Sequence, residues 1–439
     1  MTRSELITGL HYLRAQGRFR RLRGAALERF QDRRARRVVE FARAHSAYHR
    51  DRFANFGAAQ WRSIPAIGKA EMMGCFDSYN TRGIALDRTL DVALRAESTR
   101  DFRETLNGTV VGLSSGTSGH RGIYLIDPWE QAAWAGVMLA RGLDGLSLRR
   151  VTIALFHRAN NRANERLNGG GRRFRYFDLM MPLSDAIAAI DAYRPDVLVA
   201  PPSLLGLLAV EFRAGRLQHR PVRIMSAAEV LEPQDSEAIG SAFDLPVHQI
   251  YLCTEGLIAV SCTLGHLHLQ EDVVAVQIEP LPSHGDLPRG VPIVTDLWRT
   301  AQPIIRYRLN DVLQLEEKPC PCGSGFRVIA QIEGRCDDVF YFPDGGPAPR
   351  PVYPDTIRRM VLLASAEIRD YQAFQDRPGS LRIHLETAPD AFDGVRERML
   401  AEAVRILALY GCRADAIQVD QGLEPVTPGR KRRRVQRLG

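Results

Sequence analysis

Between residues 195 and 252 the chain alternates short β-rich runs with longer amphipathic ones. PDVLVA (195–200) precedes SLLGLLAVEFRAG, VRIMSA (222–227) precedes EPQDSEAIGSAF, and VHQIYL (247–252) follows. Strands separated by crossovers of this length pair in parallel, because a short hairpin joins only antiparallel neighbours. Parallel sheets take helices on their faces and bind ligands beyond the C-terminal ends of their strands. Those ends carry Pro201–Ser203, Ala228–Glu229 and Cys253–Glu255.

The segments around this core differ in texture. The first hundred or so residues read as mainly helical, and the arginine-rich stretch from Arg14 to Arg43 as a solvated amphipathic helix. DPWEQAAWAGVMLARG (127–142) opens a helix with Asp127 as N-cap, Pro128 in the first turn and Glu130 closing a capping box. Residues 257–333 are more β-like. Beyond IEGRCDDVF the pattern becomes a small α+β unit. The expected architecture is α/β: a large N-terminal domain (1–334) of parallel and mixed sheets flanked by helices, then a small mobile α+β domain (335–439).

At 439 residues, two or three domains are expected. The longest apolar runs fall short of the ~20 residues a membrane span needs, and no export signal is evident; a cytoplasmic protein is expected. The net charge of +8 reflects an arginine bias, since only Lys69, Lys318 and Lys431 are lysines among 59 basic residues. A nucleic-acid partner is therefore not expected.

SSGTSGHRG (114–122) lies between TVVGL (109–113) and GIYLI (122–126), so it reads as a loop joining two strands of a hairpin. Hydroxyls of Ser114, Ser115, Thr117 and Ser118 can donate to a phosphate, and Gly116 and Gly119 allow close approach. The spacing is not that of the Walker A loop. YLCTEG (251–256) places Glu255 at a strand end as a candidate Mg²⁺ ligand, with Thr254 near a phosphate oxygen and Tyr251 against a base. Asp311 ends TDLWRTAQPIIRYRLND and can accept from ribose hydroxyls. In PGRKRRRVQRL (428–438), Lys431 is a rare compact charge among arginines.

Together these stretches resemble the adenylate-forming superfamily of acyl- and aryl-CoA ligases, in its branch of phenylacetate-CoA ligase and coenzyme F390 synthetase. SSGTSGHRG resembles the phosphate loop SSGTTGKP, SAAEVL the GAEP segment (Ala228, Glu229), and YLCTEG the YGxTE motif. TDLWRTAQPIIRYRLND, EGRCDDV and RKRRRV resemble TDL…P-IRYRTGD, the GRSDDM hinge and GKxxRV. The resemblance implies ATP-dependent formation of an acyl-AMP from a carboxylic acid, then transfer to a thiol or amine (CoA, a carrier protein or a small amine). The branch's alternative is transfer of AMP to a substrate hydroxyl. It implies Tyr251 at adenine, Thr254 at the α-phosphate, Glu255 on Mg²⁺, Asp311 at ribose, Arg335 near ribose and phosphate, Asp337 as hinge and Lys431 as catalytic lysine. His120 stands at the loop's usual lysine, with Arg121 beside it, and Asn310 at the usual glycine before Asp311.

The seven cysteines are odd in number and clustered, which argues against a disulfide framework. Related ligases carry cysteines and a histidine at places corresponding to Cys262, His268, Cys320 and Cys322. Three thiolates and an imidazole suit a structural Zn²⁺, with His266 as rival ligand. NERLNGGGRRFRYFDL (164–179) is expected to be a mobile flap, and FHRANN (156–161) and APPSLLG (200–206) to line the acid pocket. Homodimerisation is left open.

Overall fold

The computed structural model describes residues 2–114, 122–144, 146, 150–281, 288–346, 349–425 and 433–438. Two compact units emerge, and the main passage between them falls inside the strand Val328–Arg335, after Ala330. The smaller unit also takes Arg289–Val291 and Asn310–Gln314.

In the larger unit, the strands Arg172–Asp178, Val151–His157, Val197–Ala200, Arg223–Ala227 and Val247–Cys253 lie side by side in that order. All four pairings are parallel. The helices Leu183–Tyr193, Pro202–Arg213 and Pro233–Phe243 make the crossovers. Phe156, Phe177, Ile190, Leu205, Ile239 and Phe243 fill the layer between helices and sheet. Val197–Ala200 is buried along its whole length, as expected of a strand covered on both faces. After Cys253 the sheet turns antiparallel through Gly256–Ser261 and Leu267–Leu269.

The expectation of a flap over 164–179 is corrected here. Arg172–Asp178 is a sheet strand paired over its full length with Val151–His157. Its Phe174 and Phe177 are buried, one on each face of the strand, and that burial outweighs the arginines beside them. The hairpin around 114–122 forms as expected, Thr109–Leu113 pairing antiparallel with Ile123–Ile126.

The N-terminal helix Arg3–Arg21 packs on the helix Pro128–Gly142. The contact is close because Gly136 lacks a side chain: a Cβ there would stand 2.4 Å from the Thr8 carbonyl oxygen. His11 sits edge-on to both Trp129 and Trp298. Burial and nearby arginines hold its pKa down to about 4, so it packs as a neutral ring.

In the smaller unit, a four-stranded mixed sheet runs in the order Ala416–Gln421, Ser380–Glu386, Asp370–Gln375, Val435–Arg437. The helices Pro354–Ala364 and Phe392–Leu409 cover it through Ile357, Met360, Met399 and Ile406. The basic tail is structured where described. Val435 is buried, Arg434 Nε donates to Asp370 Oδ1 at 2.8 Å, and Arg433 pairs with the buried Asp338. Among the described residues, no helix is long and apolar enough to cross a membrane.

Candidate functional site

The sheet brings together the strand ends singled out in the sequence. Strands 197–200, 223–227 and 247–253 are successive neighbours, so Ser203, Ala228–Glu229 and Thr254–Glu255 follow from one edge of the sheet. The main-chain N–H of Ser203 donates to Glu229 Oε2 at 3.3 Å. Ala228 has φ +72°, a conformation that costs a non-glycine residue roughly 1–3 kcal/mol. Such strain turns the chain sharply at the strand end.

Thr254 and Glu255 form the turn between Val247–Cys253 and Gly256–Ser261, where Cys253 pairs with Gly256. Gly256 has φ +154°, and a Cβ there would lie 3.3 Å from both Asp296 Oδ2 and Val274 Cγ1. Glycine thus lets the turn close onto Asp296. Glu255 is 8% exposed, and the hydroxyl of Tyr307 hydrogen-bonds its carboxylate. Burial, together with that negative charge, raises the Tyr307 pKa well above its ordinary value. The phenol therefore stays protonated as a donor.

Arg299 braces the same turn. Its Nη1 donates to the Thr254 carbonyl oxygen at 2.6 Å, and its Nη2 to Leu125 O at 3.1 Å and Gln302 Oε1 at 3.3 Å. Asp296 Oδ1 accepts from the N–H groups of Trp298 (2.7 Å) and Arg299 (2.8 Å). Burial pushes the Asp296 carboxyl up to about 6, against the lowering effect of Arg299 and those two N–H groups. Glu130, the capping-box acid, has a second role. Its Oε2 accepts from Asp127 N at 2.9 Å, while its Oε1 accepts from Thr300 Oγ1 and Ala301 N, each at 2.9 Å.

Asp296, Arg299 and Tyr307 were not singled out from the sequence. All three lie in the quoted stretch 295–311, so the motif held the signal. Their side-chain directions depend on how that stretch folds back on Gly256.

The remaining candidates divide between the units and the undescribed stretches. Ser115, Gly116, Thr117, Ser118 and Gly119 lie outside the described residues, as do His120, Arg121 and Lys431. At the loop's neck, Ser114 N donates to Gly122 O and Gly122 N to Ser114 Oγ, both at 2.7 Å. Tyr251 is half-buried on its strand. Asp311, Arg335 and Asp337 belong to the smaller unit. There Asn310 Nδ2 donates to Asp337 Oδ2, so the asparagine at the expected glycine contacts the expected hinge acid.

Cys262, His268, Cys320 and Cys322 converge, with one donor atom from each lying within 4.8 Å of the others. Gly265, at φ +85°, closes the turn in which Cys262 N donates to His266 O at 2.8 Å. His268 Nδ1 lies 2.9 Å from Phe326 O and donates to it, which leaves Nε2 directed at Cys322 Sγ, 3.4 Å away. Cys262 and Cys320 sulfurs are 4.0 Å apart. Two thiolates on tetrahedral zinc would be about 3.8 Å apart, so the donor set fits that ion. His266, the rival ligand, places Nδ1 2.9 Å from Cys320 Sγ, in hydrogen-bonding position.

Comparison with models of known protein families finds no match. The chain is 26% identical over 236 residues to a phenylacetate-coenzyme A ligase of Thermus thermophilus, a match spanning 50% of this chain and 51% of that protein. The chain thus spans about half the length of this curated relative. Its fold is similar to that of 2-hydroxyisobutyryl-CoA ligase solved in the postadenylation state with an acyl-AMP. The TM-score is 0.72 at 17% identity, over 95% of this chain and 91% of that one. It is also similar to the amide bond synthetase McbA of Marinactinospora thermotolerans, with a TM-score of 0.51 at 17% identity over 74% and 67% of the two chains. The fold is that of adenylate-forming enzymes.

Proposed function

We propose that the protein uses ATP to activate a carboxylic acid as its acyl-adenylate, then passes the acyl group to a thiol or amine. The observation that carries this reading is the buried Glu255 at a strand-end turn, held by Tyr307 and backed by Arg299 through Thr254. A buried carboxylate at the C-terminal edge of a parallel sheet suits a nucleotide's metal-bound phosphates.

In the first half-reaction a substrate carboxylate oxygen attacks the α-phosphorus, and the bond to pyrophosphate breaks. Thr254 contacts an α-phosphate oxygen, and Glu255 holds Mg²⁺, which when bound offsets the phosphates' negative charge. Ser114 through Gly119 cradle the phosphates, Ala228, Glu229 and Tyr251 meet the base, and Asp311 and Arg335 serve the ribose. Lys431 stabilises the charge gathered at the acid and the α-phosphate. In the second half-reaction the acceptor's sulfur or nitrogen attacks the acyl carbon, and AMP leaves. Asp337 is the pivot between the two half-reactions.

CoA is one acceptor consistent with this reading, since 2-hydroxyisobutyryl-CoA ligase, of the same fold, was solved with an acyl-AMP and CoA. An amine is the other, as in the amide bond synthetase of similar fold. The four-residue cluster is proposed as a structural Zn²⁺ site. Four protein ligands leave no open coordination position, which suits a fold-holding role.

The test is a panel of carboxylic acids incubated with ATP, Mg²⁺ and hydroxylamine. Pyrophosphate and acyl-hydroxamate are expected together. Pyrophosphate with a stable AMP-substrate product and no hydroxamate would instead mean AMP transfer to a hydroxyl.

A further inference from the structure

The chain uses lysine at only three positions among 59 basic residues. Lys431 falls in the RKRRRV motif, and Lys318 is exposed. Lys69, the third, starts the helix Lys69–Gly74, and its Nζ donates to Ser114 Oγ at 3.1 Å. Ser114 and Gly122 are the two sides of the neck from which the chain enters and leaves residues 115–121. A Cβ on Gly122 would stand 2.8 Å from Lys69 Cε. Glycine at 122 therefore makes room for the lysine stem.

The backbone carrying Lys69 is tied to the Glu255 network. Ile67 N donates to Arg306 O at 2.9 Å, and Arg308 N donates to Ile67 O at 2.8 Å. These bonds bridge Ile67 to Tyr307 in parallel, and Tyr307 holds Glu255. The two-residue strand Tyr307–Arg308 thus positions both the carboxylate and the segment that leads into the lysine.

We infer that Lys69 binds the β- and γ-phosphate oxygens of ATP, the part that departs as pyrophosphate; the inference rests on the nucleotide reading above. A triphosphate needs cations around it, and within the loop the usual lysine position holds His120 instead. Arg299 is committed to main-chain carbonyls. A lysine ammonium is a compact point charge that meets phosphate oxygens without the planar fork of arginine. That difference accounts for a lysine at position 69 in a chain whose basic residues are mostly arginine. The α-phosphate is assigned to Thr254 and Lys431, which leaves the distal phosphates for a cation at the neck.

The test is titration of the full chain with MgATP, magnesium pyrophosphate and AMP, which needs no knowledge of the acid. Lys69→Met and Lys69→Gln are expected to weaken ATP and pyrophosphate by roughly 10–100-fold, the range of a lost charge-assisted hydrogen bond. AMP affinity and the melting temperature should stay at wild-type values, and Lys318→Met should change nothing. Unchanged ATP and pyrophosphate affinity in both Lys69 variants overturns the inference. So does a parallel loss of AMP binding with early melting, which would make Lys69 a structural prop. A wild-type protein that binds none of the three ligands overturns the nucleotide reading itself, an outcome distinct from failure at Lys69.

Discussion

Arg299 donates from Nη1 to the main-chain carbonyl oxygen of Thr254 at 2.6 Å. A guanidinium thereby braces the turn that carries Thr254 and Glu255 through its main chain. Arg299→Gln keeps a donor but shortens the reach and removes the charge. Pyrophosphate release from acid plus ATP should fall by about 10–100-fold, with AMP binding less affected. Buried charge-assisted hydrogen bonds of this kind contribute about 1.5–3 kcal/mol. Wild-type turnover in the variant would show that the turn holds its shape alone.

Lys431→Ala should remove most adenylation, by roughly 10²–10³ in rate, as expected on losing a positioned charge contact in a preorganised site. Arg432→Ala should not. Transfer from a supplied acyl-adenylate to the acceptor should survive Lys431→Ala. Equal loss in both half-reactions, or loss in neither, would show the lysine misassigned.

One zinc per chain is expected in protein purified without a histidine tag. Cys320→Ser should lower thermal stability more than activity per folded molecule, because Cys262, Cys320 and Val328 form a small core against Phe19 of the N-terminal helix. Metal analysis and a thermal melt with and without chelator check both statements. A fully folded, metal-free wild type would remove the site.

Asp296 sets a pH dependence with a definite sign. Burial raises its pKa to about 6 in the folded protein, from an ordinary value of 3.8, so the folded state prefers the protonated form. Its contribution favours folding most below about pH 4, declines as pH rises towards 6, and is constant above that. Asp296→Asn removes this decline while keeping a side-chain oxygen for the N–H groups of Trp298 and Arg299. The stability difference, variant minus wild type, should grow between pH 4 and 6 and then level off, reaching up to about 3 kcal/mol. Denaturant unfolding at pH 4.5, 6 and 7.5 measures it. A difference independent of pH would mean that Asp296 titrates normally.

Gly136→Ala should destabilise, although alanine favours a helix interior over glycine by about 1 kcal/mol. The added methyl would meet Thr8 O at 2.4 Å and His11 Cβ at 2.8 Å, and overpacking of this kind costs about 1–3 kcal/mol. The check is the urea midpoint, with hydrogen exchange in residues 3–21 to localise the loss.

Local rules made much of this protein legible before any fold was known. The Asp127–Glu130 capping box and the helix ending at Gly142 need only nearby groups in one chain segment. The parallel strand series follows from crossover length. Cys262, His268, Cys320 and Cys322, expected as zinc ligands from residue type and resemblance, converge. The flap expected over 164–179 failed because local polarity does not report pairing: Arg172–Asp178 is held by a neighbouring strand and two buried phenylalanines.

The sequence by itself determined which chemical groups the protein possesses and the order in which its strands and helices form, because periodicity, caps and turn residues act over a few positions. Only the tertiary structure decided which of those groups meet. Tyr307 reaches Glu255 across 52 residues of chain, Lys69 reaches Ser114 across 45, and Gly256 yields its Cβ space to Asp296. Such contacts arise when sheet register and helix packing bring distant backbones within a few ångströms. At that range, burial and the absence of a methyl group decide what a carboxylate or an ammonium can do.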